Sequence, residues 1–395
     1  MFDREIIQEI LPFLDTDDIL LFYGARQVGK TSLMKILQEK YIKVPSYFFD
    51  LEDEDDFDNV SHGTRNFISY LKNFCNRDEE TKIVVFIDEI QYLDNPTSFL
   101  KVLHDHYPHL KLIVSSSSTL EIRGKFKDSL AWRLLKFDIL PLSFKEFLNF
   151  KGKWLLANVI WKRIEFWSVN RELIFFFQEY LTFGGYPKVV LANTTTYKNA
   201  FLKEIYESYL QKDIKDIGKI RDVSNFNKLL KILALQVWNL LNLSELSSKI
   251  GVSLPTIKEW IFLLENTFII RCITPFSNAI RWELIKTPKV FFIDTGLRNY
   301  CAKNFEIDGE NFENSFFEYL LTQREYENIN FYRTKDKQEI DFILDGKPYE
   351  LKLSYNGKNI SAFKGFKEKT GESGQVVTLK KDTDFQENVR YPREV

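Results

Sequence analysis

The 395-residue chain is poor in cysteine, in methionine and in net charge. Its three cysteines, Cys75, Cys272 and Cys301, are odd in number and far apart, with no C-x-x-C pair. That argues against a disulfide framework or a cysteine-based zinc site and points to a reducing cytoplasm. Long apolar runs are missing too. Leu173-Ile-Phe-Phe-Phe177 is far shorter than the roughly 20 residues that span a bilayer. The start, Met-Phe-Asp-Arg-Glu-Ile-Ile, is charged and has no apolar signal-peptide core. A cytoplasmic location without membrane contact is expected. No sign of charge dominates: 54 Lys plus Arg oppose 56 Asp plus Glu, a net of −2. This excludes binding by bulk polybasic charge but leaves room for a local basic patch. What is present is a globular make-up, 44% hydrophobic and 28% charged, with 36 Phe against 2 Met, which predicts stiff Phe-packed cores. The length predicts two or three domains at roughly 100–200 residues each.

Five short apolar runs open the chain: residues 19–23, 46–50, 82–87, 110–114 and 134–140. Near-continuous apolar strands separated by helical segments predict a parallel α/β sheet covered on both faces. The first run ends in Gly24-Ala25-Arg26-Gln27-Val28-Gly29-Lys30-Thr31, which fits the P-loop pattern, with Ser32 next. Glycines let backbone N–H groups wrap a phosphate, Lys30 neutralises the β- and γ-oxygens, and the Thr31 hydroxyl holds Mg²⁺. ATP and Mg²⁺ are the expected ligands.

Asp88 ends the third run 57 residues after Thr31, where a P-loop fold places its Mg²⁺-holding aspartate. Glu89 follows and can orient and deprotonate the attacking water, which favours hydrolysis over transfer to a substrate hydroxyl. Serines 115–118 end the fourth run, and Ser115 or Ser116 is expected to face the water and γ-phosphate. A short helix is expected from Gly124 to Trp132. Arg133 then precedes the fifth run, placed either to reach a neighbouring subunit's γ-phosphate as an arginine finger or to make an ion pair on the sheet edge.

These residues resemble the prokaryotic predicted AAA+ ATPases that carry a C-terminal domain of unknown function. The likeness runs through the P-loop, Phe86-Ile-Asp-Glu-Ile-Gln-Tyr-Leu93, Val114-Ser-Ser-Ser-Ser118 and Leu140-Pro-Leu-Ser-Phe-Lys-Glu-Phe147. It continues through Gly184-Gly-Tyr-Pro187, Tyr209-Leu-Gln-Lys-Asp213 and Lys289-Val-Phe-Phe-Ile-Asp-Thr-Gly296. Trp132 departs from it, since the family has a glycine before this arginine. The resemblance implies an AAA+ fold, an ATP-bound homo-oligomer and a link to DNA.

Residues 243–264 read as helix, tight turn, helix, with Gly251 as a left-handed cap and Pro255 in the first turn of the second helix. With wing strands at 268–273 and 289–293, this predicts a winged helix. Residues 225–290 carry eight Lys/Arg against four Asp/Glu, a net of +4, and Thr256, Lys258 and Arg281 are candidate DNA contacts. Packing or oligomer contacts are the alternative use.

Near the end, Asp345-Gly346 is a two-residue hairpin turn between 339–344 and 347–352. Opposed residue numbers then sum to 691, so Asp341 faces Glu350 and Glu339 faces Lys352, all on one strand face. Opposed carboxylates repel unless a divalent ion lies between them, with Lys352 beside a developing charge. The pattern resembles the PD-(D/E)XK nuclease core, in which a preceding helix adds a glutamate; Glu313 is the first choice and Glu318 the second. Mg²⁺ or Mn²⁺ would be held by Asp341, Glu350 and Glu313. The alternative is a module retained for binding. Residues 346–381 hold eight Lys and three Glu, a local +5 suited to a phosphate backbone.

Two motifs are read as coincidental. His104, His106 and His109 are assigned to a loop rather than a metal cluster. Asp294-Thr-Gly296 copies half of an aspartic-protease signature without its partner. The expected architecture is an AAA+ ATPase core over residues 1–145, a helical lid over 146–200, a helical and winged-helix domain over 201–303, and a small α/β nuclease-like domain over 304–395. The expected function is ATP hydrolysis coupled to DNA. The alternative is a nucleotide-gated regulatory or scaffold protein whose terminal domain binds but does not cut.

Overall fold

The computed structural model describes residues 2–75, 82–117, 133–158, 167–217, 220–276, 287–323, 328–334, 338–355, 357, 360–381 and 389–390. They divide into two compact units. The first comprises Met1–Leu140, Ser208–Arg221 and Asn266–Phe268; the second comprises Pro141–Glu207, Asp222–Glu265 and Ile269–Val395.

The first unit is built on strands β1 (Ile19–Tyr23), β2 (Ser46–Asp50), β3 (Ile83–Asp88), β4 (Leu110–Ser116) and β5 (Leu134–Asp138). Their order is β2-β3-β4-β1-β5 and every pairing is parallel. All residues of β1, β3 and β4 are buried, which explains why their sequences are continuous rather than alternating apolar runs. One charged side chain interrupts β4. Lys111 donates to the carbonyls of Phe13, Thr16 and Asp18 at 2.7, 2.8 and 2.7 Å, and burial lowers its pKa to about 8. It thereby ties the N-terminal segment to the sheet. The segment Ser208–Arg221 contains a π-helix, Tyr209–Ile217, whose Tyr209 hydroxyl meets the Thr267 hydroxyl at 2.9 Å.

In the second unit, helices Leu243–Ile250 and Leu254–Asn266 are joined by a turn in which Gly251 adopts φ +82°, as the cap requires. Strands β6 (Ile270–Ile273) and β7 (Lys289–Phe292) pair antiparallel beside them. Arg281 and the helix expected over Gly124–Trp132 lie outside the described residues. The terminal sheet runs β12-β11-β10-β9-β8, from β8 (Ile329–Arg333), β9 (Glu339–Leu344), β10 (Lys347–Tyr355), β11 (Gln375–Lys381) and β12 (Val389–Arg390). Its β8-β9 and β9-β10 pairs are antiparallel; β10-β11 and β11-β12 are parallel. One Phe-rich core joins Phe144, Phe147 and Tyr180 from the helices after residue 143 with Phe316, Phe317 and Phe342 of the terminal region.

One expectation is corrected. His104 and His106 lie in the last turn of helix Pro96–His106, not in a loop, because Asn95 caps that helix and Pro96 starts it. Asp294-Thr-Gly296 has a structural task. Asp294 caps helix Thr295–Ala302 by accepting from the Leu297 amide at 2.7 Å, and it accepts from the Gly185 amide at 2.8 Å. A Cβ on Gly184 would strike the Asp294 carboxylate, and one on Gly296 would strike the Phe183 carbonyl, so both positions demand glycine.

Candidate functional site

The P-loop turns between the end of β1 and helix Lys30–Lys40. Gly24 has no room for a side chain, because its Cβ would sit 2.1 Å from the Ile139 carbonyl oxygen. Gln27 and Gly29 take φ of +63° and +98°, curling the backbone as phosphate binding requires. Ala25 and Val28 are buried, and the Val28 carbonyl accepts from Arg4 at 3.0 Å. Ser32 stays exposed on the helix. Lys30 is 4% exposed and folds over the loop, donating to the Gly24 and Ala25 carbonyls at 3.1 Å each. Its ammonium also lies 3.7 Å from Glu89.

Parallel pairing brings the other expected residues to the same sheet edge. Thr31 Oγ1 donates to Asp88 Oδ2 at 2.5 Å, and Ser115 Oγ donates to Asp88 Oδ1. Thr31 and Asp88 thus adjoin as two oxygen ligands of a Mg²⁺ ion should. Burial raises the pKa of Asp88 against the lowering effect of the Ser115 and Thr31 hydroxyls. For Glu89, burial acts upward too, but the nearby Lys30 charge and the Gln91 hydrogen bond outweigh it and hold the carboxyl below its usual value. Glu89 is therefore ionised at neutral pH. Its backbone sits at φ +55°, an unusual conformation for a non-glycine residue, and its amide donates to Ser115 Oγ at 3.0 Å. Of the two candidate serines, Ser115 joins the Asp88 carboxylate to the Glu89 backbone amide; Ser116 is buried beside it on β4.

Several participants were not read from the sequence. The Gln91 amide donates to Glu89 Oε2 and, at 3.0 Å, to Ser117 Oγ, fixing that carboxylate. Glu52 Oε1 collects Arg26 at 3.2 Å, Tyr92 at 3.0 Å and Lys212 at 2.9 Å. Gln91 follows Glu89 by two residues and could have been flagged; the Glu52 contacts are too long-range to show. Arg133 makes an ion pair with Asp105 at 2.7 Å, the edge contact weighed above.

The terminal hairpin has the expected turn, with φ of +45° at Asp345 and +88° at Gly346. Its register holds at Leu344–Lys347, Ile343–Pro348 and Phe342–Tyr349, each pair summing as foreseen. Beyond them the Leu351 amide donates to Asp341 Oδ2 at 2.8 Å, and Lys352 donates to Glu350 Oε1 at 2.7 Å. Glu339, expected to face Lys352, has its charged partners elsewhere. It meets Lys289 and, at 3.3 Å, Arg333, because β7 and β8 bring those cations to it first. Glu313 lies in the same electrostatic field as Asp341 and Glu350, and burial with those neighbours raises its pKa far above the carboxylate range. Glu350 is raised to about 7, chiefly by burial and then by Asp341. Glu318, the second choice, instead accepts from the Thr295 amide at 2.7 Å and from its hydroxyl. Among the described residues, no group of three or more His, Cys, Asp or Glu is set to hold a metal ion.

Residues 16–148 match an AAA domain. Residues 175–308 and 308–392 match two domains of unknown function, DUF8612 and DUF4143. An uncharacterized protein of Methanocaldococcus jannaschii is 26% identical over 88% of this chain and 76% of its own. One of Haemophilus influenzae is 27% identical over 87% and 84%. The relatives are thus uncharacterized proteins of an archaeon and a bacterium. Among solved structures, a signal transduction ATPase with a tetratricopeptide repeat sensor from Pyrococcus horikoshii aligns at 16% identity and a TM-score of 0.31. That alignment covers 82% of this chain and 46% of the other. Drosophila ORC bound to DNA aligns at 13% identity over 77% and 96%, with a TM-score of 0.32. Scores this low carry no argument. Among the described residues, no helix is long and apolar enough to cross a membrane.

Proposed function

We propose that this protein hydrolyses ATP and couples the hydrolysis to DNA. The observation that carries the reading is the convergence of Lys30, Thr31, Asp88, Glu89 and Ser115 on one edge of the parallel sheet. In this reading the P-loop amides and Lys30 hold the β- and γ-phosphates, Thr31 and Asp88 would hold Mg²⁺, and the ion would neutralise phosphate charge. Glu89, ionised and aimed by Gln91, takes a proton from the attacking water. Ser115 keeps Asp88 and Glu89 in register. Arg133 reaches the γ-phosphate of a neighbouring subunit once it leaves Asp105. The chain works as an ATPase core (1–145), a lid (146–200), a winged-helix region (201–303) and a nuclease-like module (304–395).

DNA is supported by the local charges of +4 over residues 225–290 and +5 over 346–381. Purified protein should shift duplex DNA on a gel in a salt-sensitive manner, and DNA should stimulate phosphate release. Lys30→Ala should abolish that release. A parent whose hydrolysis ignores every DNA form sinks the coupling.

For the terminal module, metal-dependent cutting predicts nicking with Mg²⁺ or Mn²⁺ that vanishes in Asp341→Ala. A second reading, binding without cutting in a nucleotide-gated regulator or scaffold, is favoured by one observation. Lys352 is paired to Glu350, and among the described residues no group of three or more acids is set to hold a metal ion.

A further inference from the structure

One carboxylate of the terminal hairpin, Glu339, already has a cation from outside the hairpin. Lys289 opens β7, some fifty positions before Glu339, and is 1% exposed. Its ammonium pairs with Glu339 Oε1 and lies 5.5 Å from the Trp238 ring centre and 5.1 Å from that of Phe331. The Trp238 amide donates to the Val290 carbonyl at 3.0 Å, which holds the indole against β7. Two aromatic faces and one carboxylate therefore enclose the charge. A lysine so placed is stabilised by ring quadrupoles and by its ion pair, and has no route to water.

Glu339 and Asp341 share a strand face because side chains alternate with period two. The Lys289 ammonium, paired to Glu339, therefore serves the strand face that also carries Asp341. From the other side, Lys352 neutralises Glu350 at 2.7 Å, and Arg333 takes the second oxygen of Glu339. A divalent ion beside Asp341 would have to sit in the field of an ammonium that cannot move away. In a low-dielectric site that repulsion is large.

We propose that Lys289 is the resident cation of the terminal carboxylate cluster, standing in place of a divalent ion. The proposal rests on the binding-without-cutting reading and deepens it: the module engages a nucleic-acid phosphate chain through its surface lysines, with no metal. It also makes the cluster composite, with acids from residues 313–350 and the neutralising charge from β7.

The test uses the full chain carrying Asp88→Asn, which removes the expected P-loop ion, titrated with Mn²⁺ alone and followed by electron paramagnetic resonance. The parent is expected to bind no Mn²⁺ that Asp341→Asn removes. Lys289→Met, similar in length and apolar, is expected to gain one ion with affinity raised about 10–100-fold, the scale on which neighbouring groups tune metal sites. Adding Asp341→Asn should cancel the gain, and Lys289→Arg should show none. Equal Mn²⁺ affinity in the parent and Lys289→Met overturns the proposal. So does a parent that binds an Asp341-dependent ion, and this comparison decides the matter even if Lys289→Met does not fold. Anisotropy of a labelled duplex in the presence of EDTA tests the underlying reading by itself. Loss of DNA binding there defeats metal-free binding, while the Mn²⁺ titration still judges Lys289.

Discussion

Replacing Ser115 by alanine is the sharpest probe of how the proposed ATPase site is held. The hydroxyl donates to Asp88 Oδ1 and accepts from the Glu89 amide at 3.0 Å, with no exposure to solvent. Its loss removes a charge-assisted hydrogen bond worth about 1.5–3 kcal/mol and strands a buried N–H at a cost of about 1–3 kcal/mol. Asp88 and Glu89 can recover part of this only by moving, and Glu89 already sits at φ +55°. If about 1.4–2.7 kcal/mol of the loss appears in the transition state, kcat falls about 10–100-fold. The Ser115 hydroxyl also opposes the burial that raises Asp88, so its removal raises that carboxyl further and weakens its hold on Mg²⁺. The assay is steady-state phosphate release at saturating ATP over a range of Mg²⁺, with ATP affinity measured separately. A kcat within about twofold of the parent and an unchanged Mg²⁺ requirement would refute the positioning role.

Other outcomes follow from the same contacts. Arg133→Ala should lower kcat by about 10³-fold or more with ATP binding retained, whereas Asp105→Ala, which only releases that arginine, should leave kcat near the parent value. Equal effects of the two would reduce Arg133 to an ion pair. Asp294 is raised to about 7 by burial, against an unfolded carboxyl near about 3.9, so the native state binds more protons between those values. Its stabilising contribution is full below about pH 4 and is lost as pH rises through about 7. The melting temperature of the parent, measured against Asp294→Asn, should therefore fall across that window, by about 2–4 °C for each kcal/mol lost. A difference that stays flat with pH contradicts the assignment.

Much of the first unit was legible because its signals are local. Strands buried on both faces must be continuous apolar runs, and a phosphate loop fixes glycine, lysine and threonine within eight positions. The Asp345-Gly346 turn likewise fixed three hairpin pairs from numbering alone. What the sequence hid depends on packing between distant elements. Nothing near Glu339 announces that Lys289 will reach it before Lys352 does, and nothing near Arg26 announces Glu52. His104 is helical because the Asn95-Pro96 start carries the helix through it, a signal eleven residues upstream of His106. The acidic-protease look-alike at Asp294 became intelligible only once Gly184 and Gly185 were seen against it.

The central claim is that Glu89 is the base of an ATP-hydrolysing site. Single-turnover hydrolysis of Mg²⁺–ATP by Glu89→Gln measures it most directly, with nucleotide binding followed on the same sample. Bound ATP should persist with affinity close to the parent's, and the hydrolysis rate should fall about 10²–10⁴-fold. A Glu89→Gln protein that binds ATP and hydrolyses it at the parental rate would contradict the account.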